Sequence, residues 1–397
     1  MTHEPATVCA VDVGSTSIKA AVFDSDLRRL GHANTPFPKR TLGSTAEAEP
    51  EAIWHAFSST IRRARASAHV EPQTMIVAAQ MAGLVLLDER DQPIGDAILS
   101  LDRRGEPPAQ PSPRSGCSVD GLYPANKLRW LMSSDPDRVR SARRIGGIKE
   151  YLLHRLTERW VTDPSSASAS GLYDLKTLAW SEEMASDSGI SLDVLPPVAR
   201  PTDIAGISGV ASSADCQLAP GTPVLVGLGD GPASNIASGA IGTGHWCMSM
   251  GTTLVFRLLV RTQPPAYRSL GWNEHTFIHH VDRDWYTFGM RWTPTDGTYT
   301  EFVPTGGGSP ASPTDVAAAM EPALQRLGAE ELHVIGNAAQ RTGVLEQIAT
   351  ALQIPIRVSH ASDATHGMAC LALSDPNDPI STLADRTRRG VVVERPT

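Results

Sequence analysis

The order of apolar and polar positions predicts strands and helices that alternate along the chain. The runs TVCAVDVG and IKAAVF are rich in small and β-branched residues, and we predict two strands joined by a tight polar turn at residues 14–17. In the segment EPEAIWHAFSSTIRRARASA, apolar side chains recur at Ile53, Trp54, Phe57 and Ile61. This is the spacing of an amphipathic helix, and the acidic residues at its start favour a helix N-terminus.

The pattern continues to the C-terminal part of the chain. TMIVAAQMAGLVLLD predicts a strand, a turn and a second strand, and PANKLRWLMSS and IKEYLLHRLTER predict helices. TPVLVGLGDGPASNIASGAIG predicts a buried strand, a glycine turn and a helix, and HWCMSMGTTLVFRLLV a strand, a turn and a strand. VAAAMEPALQRLG, ELHVIGNA and GVLEQIATALQIPIRV then alternate helix, strand, helix, strand. We predict an α/β fold.

Two distant segments share one plan. AVDVGSTSIKAAVF and MSMGTTLVFRLLV each place glycine and hydroxyl residues between two apolar strands. The weak repeat predicts two related domains, each with a polar hairpin turn. Such a turn gathers backbone N–H groups and hydroxyls, and glycine lets an anion approach closely, so phosphate is the expected ligand. An ordinary polar β-turn is the alternative for either segment taken alone.

Composition and charge narrow the function further. The chain has 397 residues, 41% of them hydrophobic, and a net charge of −8 without a long basic run, which argues against nucleic acid as the main partner. No apolar run approaches the ~20 residues of a membrane span, and the N-terminal residues lack the pattern of a signal peptide. The cysteines are odd in number and far apart, without a CxxC pair, so we expect a cytoplasmic protein without a disulfide framework or a zinc site.

One carboxylate stands at the end of a predicted buried strand. Asp230 lies in GLGDGPASN between Gly229 and Gly231. A carboxylate in that position can accept a proton from a substrate hydroxyl. The alternative is an N-cap for a helix that begins at Pro232.

The ordered set of these motifs resembles the FGGY family of carbohydrate kinases, in the actin/hexokinase/Hsp70-like superfamily. The resemblance runs through VDVGSTSIKAAVFD, AAQMAGLVLLDERDQPIGDAILSLDRRG, KEYLLHRLTERWVTDPSSASASGLYDLKTLAWS, GTPVLVGLGDGPASNIASGAIGTG and SMGTT, and covers residues 7 to about 260. It implies two actin-like (ribonuclease H-like) domains with the active site in the cleft between them. The expected division is a sugar-binding domain at 1–245 and a shortened nucleotide-binding domain at 246–397.

The resemblance also implies the reaction and its residues. A general base deprotonates a sugar hydroxyl that attacks the γ-phosphate of ATP, with Mg²⁺ as the metal and no membrane or nucleic acid as partner. Carried over position by position, the implied residues are Asp230 as the base, Gly14, Ser15, Thr16 and Ser17 on one side of the triphosphate, Gly251, Thr252 and Thr253 on the other, Gly336 and Asn337 at the adenosine, Gln80, Met81, Asp102, Arg104 and Asp230 at the sugar, and Asp12 toward Mg²⁺.

Several positions depart from the family pattern, and they leave the acceptor open. Ala82 stands where many members have a histidine, Ser100 where they have a tryptophan, and Gly231 where xylulose kinases have asparagine. GDG with Arg257 looks like gluconate kinases, whereas QMAGLVLLD looks like xylulose kinases. We therefore expect a sugar or sugar derivative: an aldonate, ketose, polyol or cyclitol.

The second domain is shorter than the family usually has, and the segment at the expected adenosine loop resembles the GN variant of sedoheptulose-type kinases. The glycines of GGGSP at 306–310 are interpreted as a linker. The alternatives are a pentulose or heptulose kinase, or a degenerate member that binds nucleotide or sugar without turnover. A homodimer is kept as a candidate assembly.

Overall fold

The structure, a computed structural model, is built from strands and helices in alternation. It describes residues 6–109, 112, 114–117, 121–242, 244–251, 254–260, 276–278, 286–295, 301–304, 309–328, 330–336, 339, 342–359, 361, 363–375, 377–387 and 391–394. The strands are β1 Val8–Val13, β2 Ser17–Phe23, β3 Arg29–Pro36, β4 Arg40–Leu42, β5 Thr45–Ala48, β6 Thr74–Ala79, β7 Val85–Leu87, β8 Ala97–Ile98, β9 Arg144–Gly146, β10 Tyr173–Asp174, β11 Ala179–Trp180, β12 Ile204–Ile207, β13 Pro223–Gly229, β14 His245–Met250, β15 Leu254–Val260, β16 Thr276–Ile278, β17 Tyr286–Pro294, β18 Phe302–Pro304, β19 Glu331–Ile335, β20 Ile356–Ser359 and β21 Val391–Glu394.

The helices separate these strands along the chain. They are α1 Pro50–Ala68, α2 Pro124–Ser134, α3 Pro136–Arg140, α4 Ile148–Thr157, α5 Pro164–Ser168, α6 Glu182–Asp187, α7 Val210–Cys216, α8 Asp230–Ser238, α9 Pro313–Leu327, α10 Thr342–Leu352, α11 Ala364–Ala372 and α12 Pro379–Thr387, with a 3₁₀ turn at Leu192–Val194. Among the residues that the structure describes, no helix combines the length and the apolar character needed to cross a membrane.

Two large sheets share one core topology. The first has the order β12-β13-β6-β1-β2-β3, and the second contains β17-β15-β14-β19-β20 with further strands at its edges. In each sheet an antiparallel hairpin, β1–β2 or β14–β15, lies beside two parallel strands, β6 and β13 or β19 and β20. The predicted pair of hairpins that share one plan is therefore confirmed at the level of strand pairing.

The first sheet is covered by helices on both faces. Strand β1 places Cys9, Val11 and Val13 against the core formed with α1, α4 and α7. The alternate residues Val8 and Ala10 face the core formed with α8 and α11. Because successive residues of a strand point to opposite faces, Asp12 lies on the face covered by α8 and α11.

Helix α8 belongs to the cores of both sheets. Ala233 and Ile236, in its first two turns, pack with the first sheet. Ala237, near its end, packs with Cys247 of β14 and Ile335 of β19. The other face of the second sheet is covered by α9 and α10. One short helix therefore connects the packing of the two sheets.

The close approach of α1 to the first sheet depends on a glycine. Gly31 of β3 is buried, and a Cβ added there would lie 2.3 Å from the Ala68 backbone nitrogen and 2.6 Å from the Ala64 carbonyl oxygen. These are backbone atoms of α1, which no side-chain rotation can move. A Cβ at position 31 would therefore fit only if the helix and the strand separated.

We expect Gly31→Ala to lower the free energy of unfolding by about 1–3 kcal/mol, the usual cost of overpacking a filled core. Urea unfolding followed by far-UV circular dichroism measures the change. Gly343→Ala is the matched control, because a Cβ at this exposed helical position meets nothing within 4 Å. Equal unfolding midpoints for the two variants would contradict this account of the β3–α1 contact.

Candidate active site

An ion pair sits at the centre of the first sheet. Asp12 of β1 and Lys19 of β2 are direct cross-strand partners, and Lys19 Nζ lies 3.3 Å from Asp12 Oδ2. Asp12 is buried, with 5% of its surface exposed. Among the described residues, the Asp12 carboxylate is therefore paired with Lys19 at a position with little access to solvent.

Two further carboxylates belong to the same electrostatic cluster. Asp230 is the first residue of α8, and Asp363 is the N-cap of α11 and accepts a hydrogen bond from the Thr365 backbone N–H at 3.0 Å. Burial raises the pKa of Asp12 to about 6; Lys19 opposes this, whereas the charges of Asp363 and Asp230 add to it. Lys19 in turn has a raised pKa, because the three carboxylates outweigh its own burial.

The alternative interpretation of Asp230, a helix N-cap, is not what the structure shows. The helix begins at Asp230 itself, and Gly229 is its N-cap. Since α8 and α11 both start beside Asp12, their backbone dipoles also direct positive potential toward this region. Three carboxylates and one lysine thus meet at two helix N-termini.

The first polar turn has the predicted form. Gly14 N donates to Ser17 O at 3.0 Å, which closes the turn between β1 and β2. The turn is fixed from behind, because Phe37 N donates to Thr16 O at 3.0 Å and Lys39 Nζ to Ser15 O at 2.8 Å. The turn directly continues the strand that carries Asp12.

The second polar turn lies beside the predicted adenosine loop. Gly251 follows β14, and Gly336 follows the neighbouring parallel strand β19. Gly336 has a positive φ of 119°, and a Cβ there would lie 2.3 Å from the Met250 carbonyl oxygen. The structure therefore brings Gly251 and Gly336 to the same sheet edge, whereas Thr252, Thr253 and Asn337 lie outside the described residues, as do residues 306–308 of the glycine-rich loop.

The segment after β6 contacts Gly229, the residue directly before Asp230. The Met81 side chain packs against Gly229, where an added Cβ would lie 2.5 Å from the Met81 sulfur. Gln80 Oε1 accepts a hydrogen bond from Ser100 Oγ at 2.7 Å, so a residue that departs from the family pattern holds this side chain. Gln80 and Met81 line a cavity together with Lys149, Glu150 and Trp180 among others.

Asp102 and Arg104 form a separate pair. Asp102 has no exposed surface; its Oδ2 accepts from Ala46 N at 2.8 Å and from Arg104 Nη2 at 2.7 Å. Arg104 also reaches Glu47 Oε1 at 2.5 Å and lies 4.2 Å above the Trp130 ring. Arg104 is the more accessible member of the pair, and Asp102 positions it.

A buried ionic network that sequence reasoning missed holds the strand that ends at Gly229. Lys149 Nζ lies 3.0 Å from Asp163 Oδ1, and it donates to the Val226 carbonyl of β13 at 3.3 Å. Ser165 Oγ donates to Asp163 and accepts from Gly229 N at 3.0 Å. Lys149, Asp163 and Ser165 are each at least 98% buried. The network therefore fixes the residue directly before Asp230.

Asp363 is the other residue that the sequence pattern did not single out. Its only local signal is an aspartate directly before the apolar run ATHGMACLAL, because aspartate is a favoured helix N-cap residue. Lys149 and Asp163 carry similarly weak signals, a charged residue inside an apolar helix pattern and an Asp-Pro pair. None of these signals distinguishes a site residue from an ordinary surface or capping residue.

Comparison with known proteins relates this geometry to one family. A model of the N-terminal domain of the FGGY family of carbohydrate kinases matches residues 7–237, more than half of the chain. A gluconokinase of Bacillus licheniformis is 29% identical over 262 residues, 63% of this chain and 51% of that protein. A xylulose kinase of Streptomyces rubiginosus is 29% identical over 268 residues, 65% of this chain and 55% of that protein. The chain thus spans about half the length of these curated relatives.

The fold is shared with solved structures over nearly the whole chain. A ligand-bound xylulose kinase from Lactobacillus acidophilus superposes with a TM-score of 0.86 at 19% identity, covering 98% of this chain and 94% of that one. This likeness confirms the expected fold class, an α/β protein with two actin-like domains.

We expect Asp12 to make the stability of the ligand-free protein depend on pH. Its pKa is about 6 in the folded chain against an ordinary value of 3.8, so the folded state holds this proton more tightly than the unfolded state. The stabilisation is complete below pH 3.8 and is lost as the pH rises through 6. Between pH 5 and 7.5 the loss is about 1–2 kcal/mol.

Asp12→Asn cannot ionise and should lack this loss. Urea unfolding of the two proteins at pH 5, 6 and 7.5, with chelator present, measures the difference. Asp26→Asn, a change at an exposed aspartate, is the control and should follow the wild type. Parallel pH profiles for wild type and Asp12→Asn would exclude a raised pKa at Asp12.

Proposed function

Because this chain belongs to the FGGY family of carbohydrate kinases, we propose that it transfers a phosphoryl group from ATP to a hydroxyl of a small sugar or sugar derivative. The observation that carries this proposal is the cluster of Asp12, Lys19, Asp230 and Asp363 at two helix N-termini, next to a polar hairpin turn. Phosphoryl transfer needs mainly positioning and charge neutralisation, and these groups supply both.

In this proposal Asp230 is the general base. Its carboxylate takes the proton from the attacking hydroxyl as the new oxygen–phosphorus bond forms, and the bond from the γ-phosphorus to ADP breaks. The Lys149–Asp163–Ser165 network supports the role, because it holds Gly229 and so limits the positions that Asp230 can take. A degenerate binding protein has no use for such a held carboxylate.

The same cluster fits Mg²⁺ bound with ATP. Among the described residues, three carboxylates lie near one lysine, and burial together with the charges of Asp363 and Asp230 raises the pKa of Asp12 despite Lys19, which supports a place for a further cation. A hard divalent cation with oxygen ligands suits this donor set. When bound, Mg²⁺ neutralises charge that develops on the phosphates. We assign Asp12 to it, with Asp363 as an additional candidate.

The two polar turns would hold the nucleotide. Gly14, Ser15, Thr16 and Ser17 offer backbone N–H groups and hydroxyls next to Asp12, and we assign them to the triphosphate. The second sheet would contribute Gly251, Thr252 and Thr253 to the phosphates and Gly336 and Asn337 to the adenosine. The adjacency of Gly251 and Gly336 at one sheet edge supports this assignment.

The acceptor would bind beside the segment that packs on Gly229. Gln80 and Met81 line the cavity there, and the buried Gln80 Nε2 has no hydrogen-bond partner among the described residues, which leaves a donor for a substrate hydroxyl. We assign Arg104, which Asp102 positions, to a contact with a polar or anionic group of the acceptor. The matched relatives are named gluconokinase and xylulose kinase, and we keep aldonates, ketoses, polyols and cyclitols as the acceptor class.

We also propose the division of the chain at 1–245 and 246–397. Strand β14, the first strand of the second sheet, begins at His245. Helix α11 of the second part packs against the first sheet with α8, so the two parts would share one cleft. Since ATP is the proposed donor, the cytoplasm is the proposed location.

We expect Asp230→Asn to lower turnover by about 10²–10⁴-fold, the range for loss of a general base, with ATP affinity changed only a few-fold. ADP release is measured with Mg-ATP over a panel of aldonates, ketoses, polyols and cyclitols, and ATP affinity by calorimetry. Asp137→Asn is the matched control, since that side chain is 93% exposed. ATP binding without turnover on any acceptor would favour the non-catalytic alternative, and normal turnover in Asp230→Asn would remove the base assignment.

We expect Ser165→Ala to lower kcat by about 10–100-fold, because loss of the Gly229 hydrogen bond lets Asp230 move away from the attacking hydroxyl. KM for ATP should stay within a few-fold. Ser58→Ala, also a buried serine but remote in α1, controls for the loss of a buried hydroxyl and should retain kcat. A kcat for Ser165→Ala equal to that of Ser58→Ala, at similar unfolding free energy, would show that the network is only structural.

A further inference from the structure

A cluster of two histidines and a glutamate lies at the far end of the second sheet from the polar turns. His245 is the first residue of β14 and pairs with Glu331, the first residue of the parallel strand β19; His333 lies two residues further on. Their ligand atoms all lie within 4.8 Å of one another. Gly251 and Gly336 follow the opposite ends of the same two strands, so the cluster is separate from the proposed nucleotide site.

His333 has a fixed orientation and a fixed tautomer at one nitrogen. It is 4% exposed, and its Nδ1 lies 3.0 Å from the Ser238 carbonyl oxygen. A carbonyl oxygen only accepts hydrogen bonds, so Nδ1 carries the proton. The other nitrogen, Nε2, lies 2.9 Å from Glu331 Oε2. A lone pair facing a carboxylate at that distance is repulsive, and either a second proton or a cation must lie between them.

His245 brings a second unpartnered nitrogen to the same cluster. Its ring is 4.9 Å from the His333 ring, tilted by 31°. Among the described residues, neither His245 Nδ1 nor His333 Nε2 has a hydrogen-bond partner with acceptable geometry, although both atoms are buried. Buried polar atoms without partners are costly.

His333 and Glu331 are each held by an outer hydrogen-bond partner, as metal ligands usually are. Ligating histidines usually donate their other N–H to a carbonyl or carboxylate, and ligating carboxylates are themselves hydrogen-bonded. His333 donates to Ser238, and Arg357 Nε donates to Glu331 Oε1 and leaves Oε2 toward the histidines. The separation of 2.9 Å between His333 Nε2 and Glu331 Oε2 is close to the edge of about 3.0 Å between adjacent ligands about 2.1 Å from an octahedral ion, and it is shorter than the edge of about 3.4 Å around a tetrahedral one.

We propose that His245, Glu331 and His333 bind a divalent transition-metal ion, with Zn²⁺ as the reference case. Two imidazoles and one carboxylate suit Zn²⁺, Co²⁺ or Ni²⁺, whereas Mg²⁺ and Ca²⁺ prefer oxygen ligands only. This site therefore differs in chemistry from the carboxylate cluster around Asp12. Solvent can complete the coordination, because His245 and Glu331 are only partly buried.

We expect a metal at this site to stabilise the fold. Ser238, the carbonyl partner of His333, is the last residue of α8, and Asp230 is its first. Metal at the cluster would fasten the end of α8 and the start of β14 to β19. We expect bound metal to raise thermal stability without being required for proton transfer at Asp230.

The test uses tag-free, chelator-treated full chain in saturating Mg²⁺, so that hard-cation sites are occupied. Calorimetry with Zn²⁺ should show one ion per chain, Co²⁺ should give the visible absorption bands of a nitrogen- and oxygen-ligated ion, and Tm should rise. Loss of a direct ligand in His245→Ala should weaken binding by about 100-fold or more, and loss of the outer partner in Arg357→Ala by about 10–100-fold. His55→Ala, at an exposed histidine of α1, should bind as the wild type does.

Wild-type protein that binds no Zn²⁺ or Co²⁺ in the presence of Mg²⁺ would overturn the proposal. So would His245→Ala binding as tightly as the wild type. His333 is buried and His333→Ala can misfold, so the partly exposed His245 is the deciding variant. All readouts are binding, absorption and stability, so the result is independent of whether the chain proves to be a kinase.

Discussion

The buried ion pair between Lys149 and Asp163 is the constraint on which the candidate site depends. A charge inside a protein is costly unless it is paired and hydrogen-bonded, and removal of one partner leaves the other uncompensated, at about 3–5 kcal/mol. Here every member is engaged: Lys149 with Asp163 and the Val226 carbonyl, and Asp163 with Ser165. The pair therefore ties α4 and the start of α5 to strand β13, and through Gly229 it sets where α8 begins. The direction of α8 decides how one short helix can contact both sheets.

A second, opposite constraint lies at the start of α8. The Asp12 carboxylate is buried near Asp230 and Asp363 with Lys19 as its ion-pair partner, and its raised pKa means that its charge destabilises the ligand-free fold at neutral pH. Stability and binding are thus opposed at this point, because a cation that relieves the repulsion gains free energy from it. In the network around Lys149 the buried charges are paired with each other, so no such opposition arises there. One buried cluster is satisfied within the protein, and the other is the cluster to which we assign a bound cation.

The sequence predicts well those features of the site that neighbouring residues form. It predicts poorly the contacts between residues that are far apart along the chain. Both polar hairpins follow from neighbouring residues, since glycine and hydroxyls between two apolar strands leave few other structures, and Asp12 and Asp230 stand at strand ends that such patterns reveal. Asp363 joins Asp12 only because α11 returns from the C-terminal part to pack on the first sheet. The roles of Lys149 and Ser165 depend on β13 lying beside them. Charged residues in a helix pattern look solvated until the neighbouring chain is known, and the Asp230 cap fails because the helix begins two residues before Pro232.

Helix α8 also connects the histidine cluster with the candidate active site. Its nine residues run from Asp230, at the first sheet, to Ser238, whose carbonyl binds His333 at the second sheet. A helix this short spans only about 13 Å and bends little over two and a half turns. A helix of this length couples the positions of its two ends. The two ends lie among different groups, two imidazoles and a carboxylate at Ser238 and a cluster of carboxylates at Asp230. Because the Lys149 network already holds Gly229, an ion at the histidine cluster would fix the second end of a helix whose first end is fixed by the protein itself.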